Sequence, residues 1–372
     1  MSGVGRDDPC RVATADRATV EDMRRHLAAT FTLAVLSPFL AEFLLGDQYL
    51  SADRGVGAQV GMFLVLGLWY GTGAVLIREV ARRTGRGWPT ILLLGLAFGL
   101  IEEGLLTQTL FNPHYLGLDL LSYGHLGPLG IGLPWTIFVL TLHVVWSIAT
   151  PIALVEGIWP GRDPWFGRIG LGVVIGLAVL GALAILGVSW STSGGFLATP
   201  TQLGASALLA VVAVVVALRL PRVELVRPPR AVLLSAGVAV VLASAFQVTQ
   251  HFGPDFLPAW LTVGVLVLLL AAAVAVSVRF RLDVLGLAIG AVLTYAWVGL
   301  TNAARADLTG VIEQIVIVLV ALAVAVVAVV RRRRLAPSSG SGPVGTSQPA
   351  GTSNPVSANG SGADAGAHAK PQ

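Results

Sequence analysis

A helix needs about 20 mainly apolar residues to cross the hydrocarbon of a bilayer, and this sequence supplies that length ten times. The runs fall near 27–46, 57–77, 89–111, 134–156, 168–189, 203–220, 231–250, 258–278, 283–302 and 310–330. In lipid, every backbone N–H and C=O must find a partner inside the segment, so runs of this kind fold as helices. The expected fold class is all-α, a polytopic membrane bundle of about ten transmembrane helices, with the lipid bilayer as its first partner. Charge agrees: 12% of residues are charged, against about 25% in a soluble domain.

The basic residues test the count of spans. Arg6, Arg11, Arg17, Arg24 and Arg25 precede the first run, and Arg78, Arg82, Arg83 and Arg86 follow the second. Arg162 and Arg168 follow the fourth, Arg219, Arg222, Arg227 and Arg230 the sixth, Arg279 and Arg281 the eighth, and Arg331 to Arg334 the tenth. Every second connection is therefore basic, holding 21 of the 24 lysines and arginines. An error of one span would scramble this alternation. The positive-inside rule then predicts a multi-pass plasma-membrane protein with both termini cytoplasmic. Arginines clustered this way are topology signals rather than a nucleic-acid surface, so no nucleic-acid partner is expected. The single cysteine, Cys10, excludes a disulfide framework and a cysteine metal site.

Three regions follow. Residues 1–26 form a cytoplasmic N-terminal segment, 27–334 the bundle, and 335–372 a Pro-, Gly- and Ser-rich tail expected to be disordered. "RATVEDMRRHLAA" at 17–29 reads as a short helix near anionic headgroups.

Polar residues are not spread evenly. Glu42, Asp47, Glu102, Glu103, Gln108, Asn112, His114, Asp119, His125, His143, His251, Asp255, Asn302 and Glu313 all fall in the half away from the arginines. The third run travels toward that half, and Glu103 lies about 12 Å before its end at 1.5 Å per residue. The fourth run returns, with His143 about 13.5 Å along it. Consecutive helices often pack side by side, so the glutamate pair and His143 should lie at nearly equal depth. Gly95, Gly99, Glu103 and Thr107 recur every four residues and share one stripe; small residues at that spacing mark close helix contact. Thr136, His143, Ser147 and Thr150 form a second polar stripe. Adjacent carboxylates in a low dielectric do not both ionise easily, and a shared proton or a nearby imidazolium removes the conflict. That pairing is what a general base needs.

"EEGLLTQ" at Glu102–Gln108 followed by "FVLTLH" at Phe138–His143 resembles the CAAX-protease and bacteriocin-processing (CPBP, or Abi) family of intramembrane enzymes. The resemblance implies that Glu102 activates water, Glu103 is its neighbour, and His143 orients the water or stabilises an oxyanion. The family's arginine position holds Thr107, and for its later His-x-x-x-Asn motif only His251 and Asn302, on separate spans, are at hand.

The candidate catalytic residues are thus Glu102, Glu103 and His143. Gln108, Thr107, Trp146, Ser147, His114 and Asn302 are candidate binding residues, with His114 and His125 in a Gly- and Pro-rich connection that could act as a lid. Two glutamates, His143 and a loop histidine are metal-ligating types, but without a His-Glu-x-x-His motif no metal is assigned, and no cofactor is named. The function expected is a CPBP-like glutamate-dependent protease or a degenerate relative, acting on a peptide or small molecule. The alternatives are a secondary transporter and a non-enzymatic membrane scaffold.

Overall fold

The computed structural model describes residues 9–46, 55–222, 231–305 and 308–335. The expected tail, together with Asp47, Arg54, Arg227 and Arg230, lies outside the described residues. Among those described, ten helices are long and apolar enough to cross a membrane. They are α1 (Val20–Phe43), α2 (Gly57–Arg83), α3 (Trp88–Leu106), α4 (Leu133–Ile158) and α5 (Arg168–Thr192). The second half comprises α6 (Pro200–Arg219), α7 (Val232–Phe256), α8 (Ala259–Phe280), α9 (Val284–Ala303) and α10 (Leu308–Leu335). In the connection between α3 and α4, read as loop, β1 (His125–Leu126) and β2 (Ile131–Gly132) form a minimal antiparallel pair.

Helix starts follow local chemistry. Proline occupies the first turn of α3 and α4, where its missing N–H has no intrahelical acceptor to lose. A capping box of Thr199 and Gln202 opens α6. Asp283 caps α9 by accepting from Gly286 N at 3.0 Å.

The core is unequal around the bundle. In α3, α4 and α9, 61% of the most apolar window is buried, against 11% in α8. The first four helices and α9 therefore form the centre, and α8 presents its apolar residues outward.

Several helices are longer than the runs suggested, α1 and α2 with most consequence. The helix of α1 is continuous from Pro9, so residues 17–29 extend the first span rather than forming a separate surface helix. α2 continues to Arg83, so Arg78, Arg82 and Arg83 lie on the helix itself. Arg78 is 1% exposed, with its guanidinium 3.8 Å over the Trp165 ring. Arg78 and Arg82 both ion-pair with Glu156, at 3.2 and 2.6 Å. Glu79 pairs with Arg83 and accepts the backbone N–H groups of Trp165 and Phe166. This network clasps α2, α4 and the connection after α4 at the arginine-rich end.

Candidate functional site

Away from that network, the helical backbone widens in four places: Phe39–Phe43 in α1, Gly67–Gly71 in α2, Glu102–Leu106 in α3 and His143–Ala149 in α4. Each is a π-helical turn, in which one extra residue enters the turn; such turns occur frequently at functional sites. Local sequence assists. Pro38 directly precedes the first. Pro151, just after the fourth, has no N–H to offer the carbonyl of Ser147, and Ser37 Oγ donates to that carbonyl instead, at 2.6 Å. Ser37 also reaches the carbonyl of Tyr70 at 3.0 Å, so one hydroxyl ties the wide turns of α2 and α4.

The four turns carry Glu42, Tyr70, the Glu102–Glu103 pair and His143. Glu102, Glu103 and His143 are 2%, 5% and 1% exposed. His143 Nε2 lies 2.6 Å from Glu103 Oε1, and His143 Nδ1 lies 3.2 Å from Ser147 Oγ. The second oxygen of Glu103 accepts from Thr107 at 3.2 Å and from the Thr109 hydroxyl. Trp135 Nε1 donates in turn to Thr109 at 3.3 Å. Both oxygens of Glu103 and both nitrogens of His143 are thus engaged. Glu102 differs: the Trp69 indole N–H turns toward its carboxyl group, but neither buried Glu102 Oε2 nor Trp69 Nε1 has a partner at close hydrogen-bond geometry. Unpaired buried polar atoms are uncommon in folded proteins and cost about 1–3 kcal/mol each.

The glycine stripe on α3 faces α4. A Cβ at Gly95 would lie 3.3 Å from Val144 Cα, and one at Gly99 would lie 3.1 Å from His143 Cβ. The absence of a side chain at these two positions lets the imidazole come against α3. On another side, a Cβ at Gly104 would meet Ser206 Oγ of α6 at 2.5 Å, so α6 covers the back of the glutamate turn. Ser189 of α5 donates to the Thr107 carbonyl at 3.1 Å.

Aromatic rings wall the imidazole. Tyr70 and Phe98 lie 5.5 and 5.8 Å from the His143 ring between centroids. The Tyr70 hydroxyl is hydrogen-bonded to Glu42. Above the site, Tyr115 in the connection after α3 has its hydroxyl pushed up from the ordinary tyrosine range, first by burial and then by the charges of Glu103, Glu102 and Glu42.

Several sequence candidates are turned elsewhere. Gln108 adopts a left-handed backbone (φ 58) that ends α3, and its side chain accepts from Ala198 N at 2.7 Å. His114 and His125 are exposed, whereas the neighbouring Tyr115 is half-buried and feels the charges of the carboxylates. Trp146 stacks on Tyr295 at 4.0 Å and donates to Ala291 O at 2.9 Å, fastening α4 to α9. Asn302 donates to Leu45 O at 3.0 Å, and His251 pairs with Arg305 at 2.6 Å, so neither joins the glutamates. Among the described residues, no group of three or more His, Cys, Asp or Glu is placed to share a metal ion.

Glu42, Tyr70, Phe98, Thr109 and Trp69 went unassigned in the sequence. Glu42 carried a usable signal, because an ionisable residue inside a span is functional by default. The others had none, since aromatics and threonines are common in any membrane helix.

The profile of an uncharacterized membrane protein family matches residues 31–301, from within α1 to within α9. The chain belongs to that family. The family match takes in every residue of the glutamate–histidine site and leaves out α10. No curated protein and no solved structure matches the chain. The family description names no activity, so the likeness to CPBP enzymes rests on the motif residues.

Proposed function

We propose that the protein is an intramembrane hydrolase of the CPBP type in which Glu102 is the general base and the Glu103–His143 pair braces it. The observation that carries this reading is the contrast between the two glutamates. Glu103 is saturated by His143, Thr107 and Thr109, whereas buried Glu102 Oε2 makes no close hydrogen bond and its carboxyl group has only the Trp69 indole N–H turned toward it. A general base needs an oxygen free to take a proton from attacking water, within a hydrogen bond of it. Glu103 holds the imidazole by Nε2 and Ser147 holds it by Nδ1. A ring fixed at both nitrogens can orient a polar substrate group and respond to charge that develops at Glu102. In this reading the acyl carbon of a peptide or small amide takes the oxygen of water, Glu102 takes the proton, and the leaving amine later receives it.

The reading also places the site on the outer side of the plasma membrane, because it lies at the end away from the arginine clusters. The bilayer partner and the peptide or small-molecule substrate follow from that setting.

The test compares membranes from cells expressing wild type, E102Q and E103Q, using mass spectrometry of newly formed protein N-termini. Termini that depend on Glu102 support hydrolysis. Identical N-terminal profiles in wild type and in folded E102Q would remove proteolysis and leave a proton-coupled transporter or a scaffold.

A further inference from the structure

Exposure drops between the end of α1 and the groups deeper in the bundle. Glu42 sits one residue before the end of α1 and is half-buried. Tyr70, hydrogen-bonded to it, is 4% exposed, and Glu102, Glu103 and His143 are 2%, 5% and 1% exposed. The Tyr70 ring stands 5.5 Å from that of His143, and its hydroxyl feels the charges of Glu102 and Glu103 as well as that of Glu42. The wide turns of α1, α2 and α3 present these groups to one another.

A buried acid–base centre must exchange protons with water, and apolar side chains do not carry them. Around this centre, α5 and α6 close one side through Ser189 and Ser206. Rings of Tyr70 and Phe98 close another. The titratable groups that face it are Glu42 from α1, Tyr70 from α2, Tyr115 from the connection above, and the glutamates and His143 themselves. Of these, Glu42 is the carboxylate nearest a helix end, and Tyr70 is the hydroxyl joined to it.

We propose that Glu42 and Tyr70 form the proton path between the buried glutamate–histidine centre and the aqueous face at the arginine-poor end. This rests on the reading of Glu102 as the group that gains and loses a proton. In one step, Tyr70 accepts a proton from the Glu102 carboxyl on its hydroxyl oxygen and passes its own hydroxyl proton to the Glu42 carboxylate. Glu42 then releases it to water. The tyrosine ends unchanged, one proton crosses, and no electrons move. Glu42 and Tyr70 are positioning residues that contact neither the scissile bond nor the imidazole nitrogens.

The experiment measures exchange of the His143 imidazole proton with water. The full chain, labelled with 15N-histidine, is reconstituted in lipid, and the signal is assigned by difference from H143N. Expected is exchange slowed roughly a hundredfold in both E42Q and Y70F, the low end of what a positioned proton carrier contributes, with recovery in E42D. Circular dichroism checks that each variant keeps its helix content; Y70F keeps the ring and its packing if E42Q does not fold. Unchanged exchange in Y70F, or slowing in Y70F without slowing in a folded E42Q, overturns the path. The readout needs no substrate. Slowed exchange with no Glu102-dependent cleavage keeps the path and discards the hydrolase, and the reverse result discards only the path.

Discussion

His143 Nε2 and Glu103 Oε1 approach to 2.6 Å across the interface of α4 and α3, each side chain more than nine-tenths buried. The pair is the interaction on which the arrangement of the site depends. A buried hydrogen-bonding partner is costly to strand: leaving one unsatisfied typically destabilises by about 1–3 kcal/mol. H143A is therefore expected to lower thermal stability in detergent more than the double variant E103Q/H143N, which keeps a neutral hydrogen bond. A double-mutant cycle on melting temperature measures this. Additive effects would mean that the two side chains do not interact.

The close approach at Gly104 gives a second expectation. A methyl group there would sit 2.5 Å from Ser206 Oγ, so G104A should push α6 off the glutamate turn. Overpacking of this kind costs about 1–3 kcal/mol. S206G should restore much of the loss in the G104A background. Failure of that rescue, read by thermal unfolding, would place the clash elsewhere.

The arginine-rich end should respond unevenly. Glu156 pairs with both Arg78 and Arg82, whose side chains are 1% and 2% exposed. E156A removes the carboxylate shared by Arg78 and Arg82, leaving Arg78 only its longer ion pair with Glu79 at 3.6 Å, and is expected to cost about 3–5 kcal/mol. The Arg83 side chain is 31% exposed, and without it the buried Glu79 keeps Arg78 and two backbone N–H donors, so R83A should cost no more than about 1 kcal/mol. Equal losses in the two variants would contradict the burial argument.

Tyr115 sets a pH expectation. Its folded-state pKa is raised by burial and by the neighbouring carboxylates. Above the ordinary tyrosine value of about 10, the unfolded chain would release this proton while the folded one would hold it. The raised value therefore contributes stability that is present at neutral pH and is lost as pH climbs past that point. Y115F should lose less stability than wild type between about pH 9 and 11, measured by unfolding in detergent at each pH.

Topology can be checked in cells. In a C10A background, H114C at the site end should react with an impermeant maleimide from outside, and R162C only after permeabilisation. The opposite pattern would invert the positive-inside reading.

The sequence by itself determined the ten spans, because hydrocarbon thickness sets the length of an apolar run and each backbone polar group must pair within it. It also determined that α3 meets α4 along Gly95 and Gly99 at the depth of His143, since helical spacing and rise per residue are fixed by local geometry. It put Glu103 on the stripe that faces protein and Glu102 on its flank, but it did not name the partner of the imidazole. Glu102 and Glu103 are adjacent, and a wide turn at Glu102–Leu106 shifts the phase of the residues it contains. Tertiary packing brought His143 to Glu103, left Glu102 unpaired at Oε2, and added Glu42 and Tyr70 from helices far away in the chain. It also drew Gln108, Asn302 and Trp146 into contacts with Ala198, Leu45 and Ala291. A side chain's partner in lipid is whichever polar group the neighbouring helix offers, and a single sequence encodes the need for that partner without naming it.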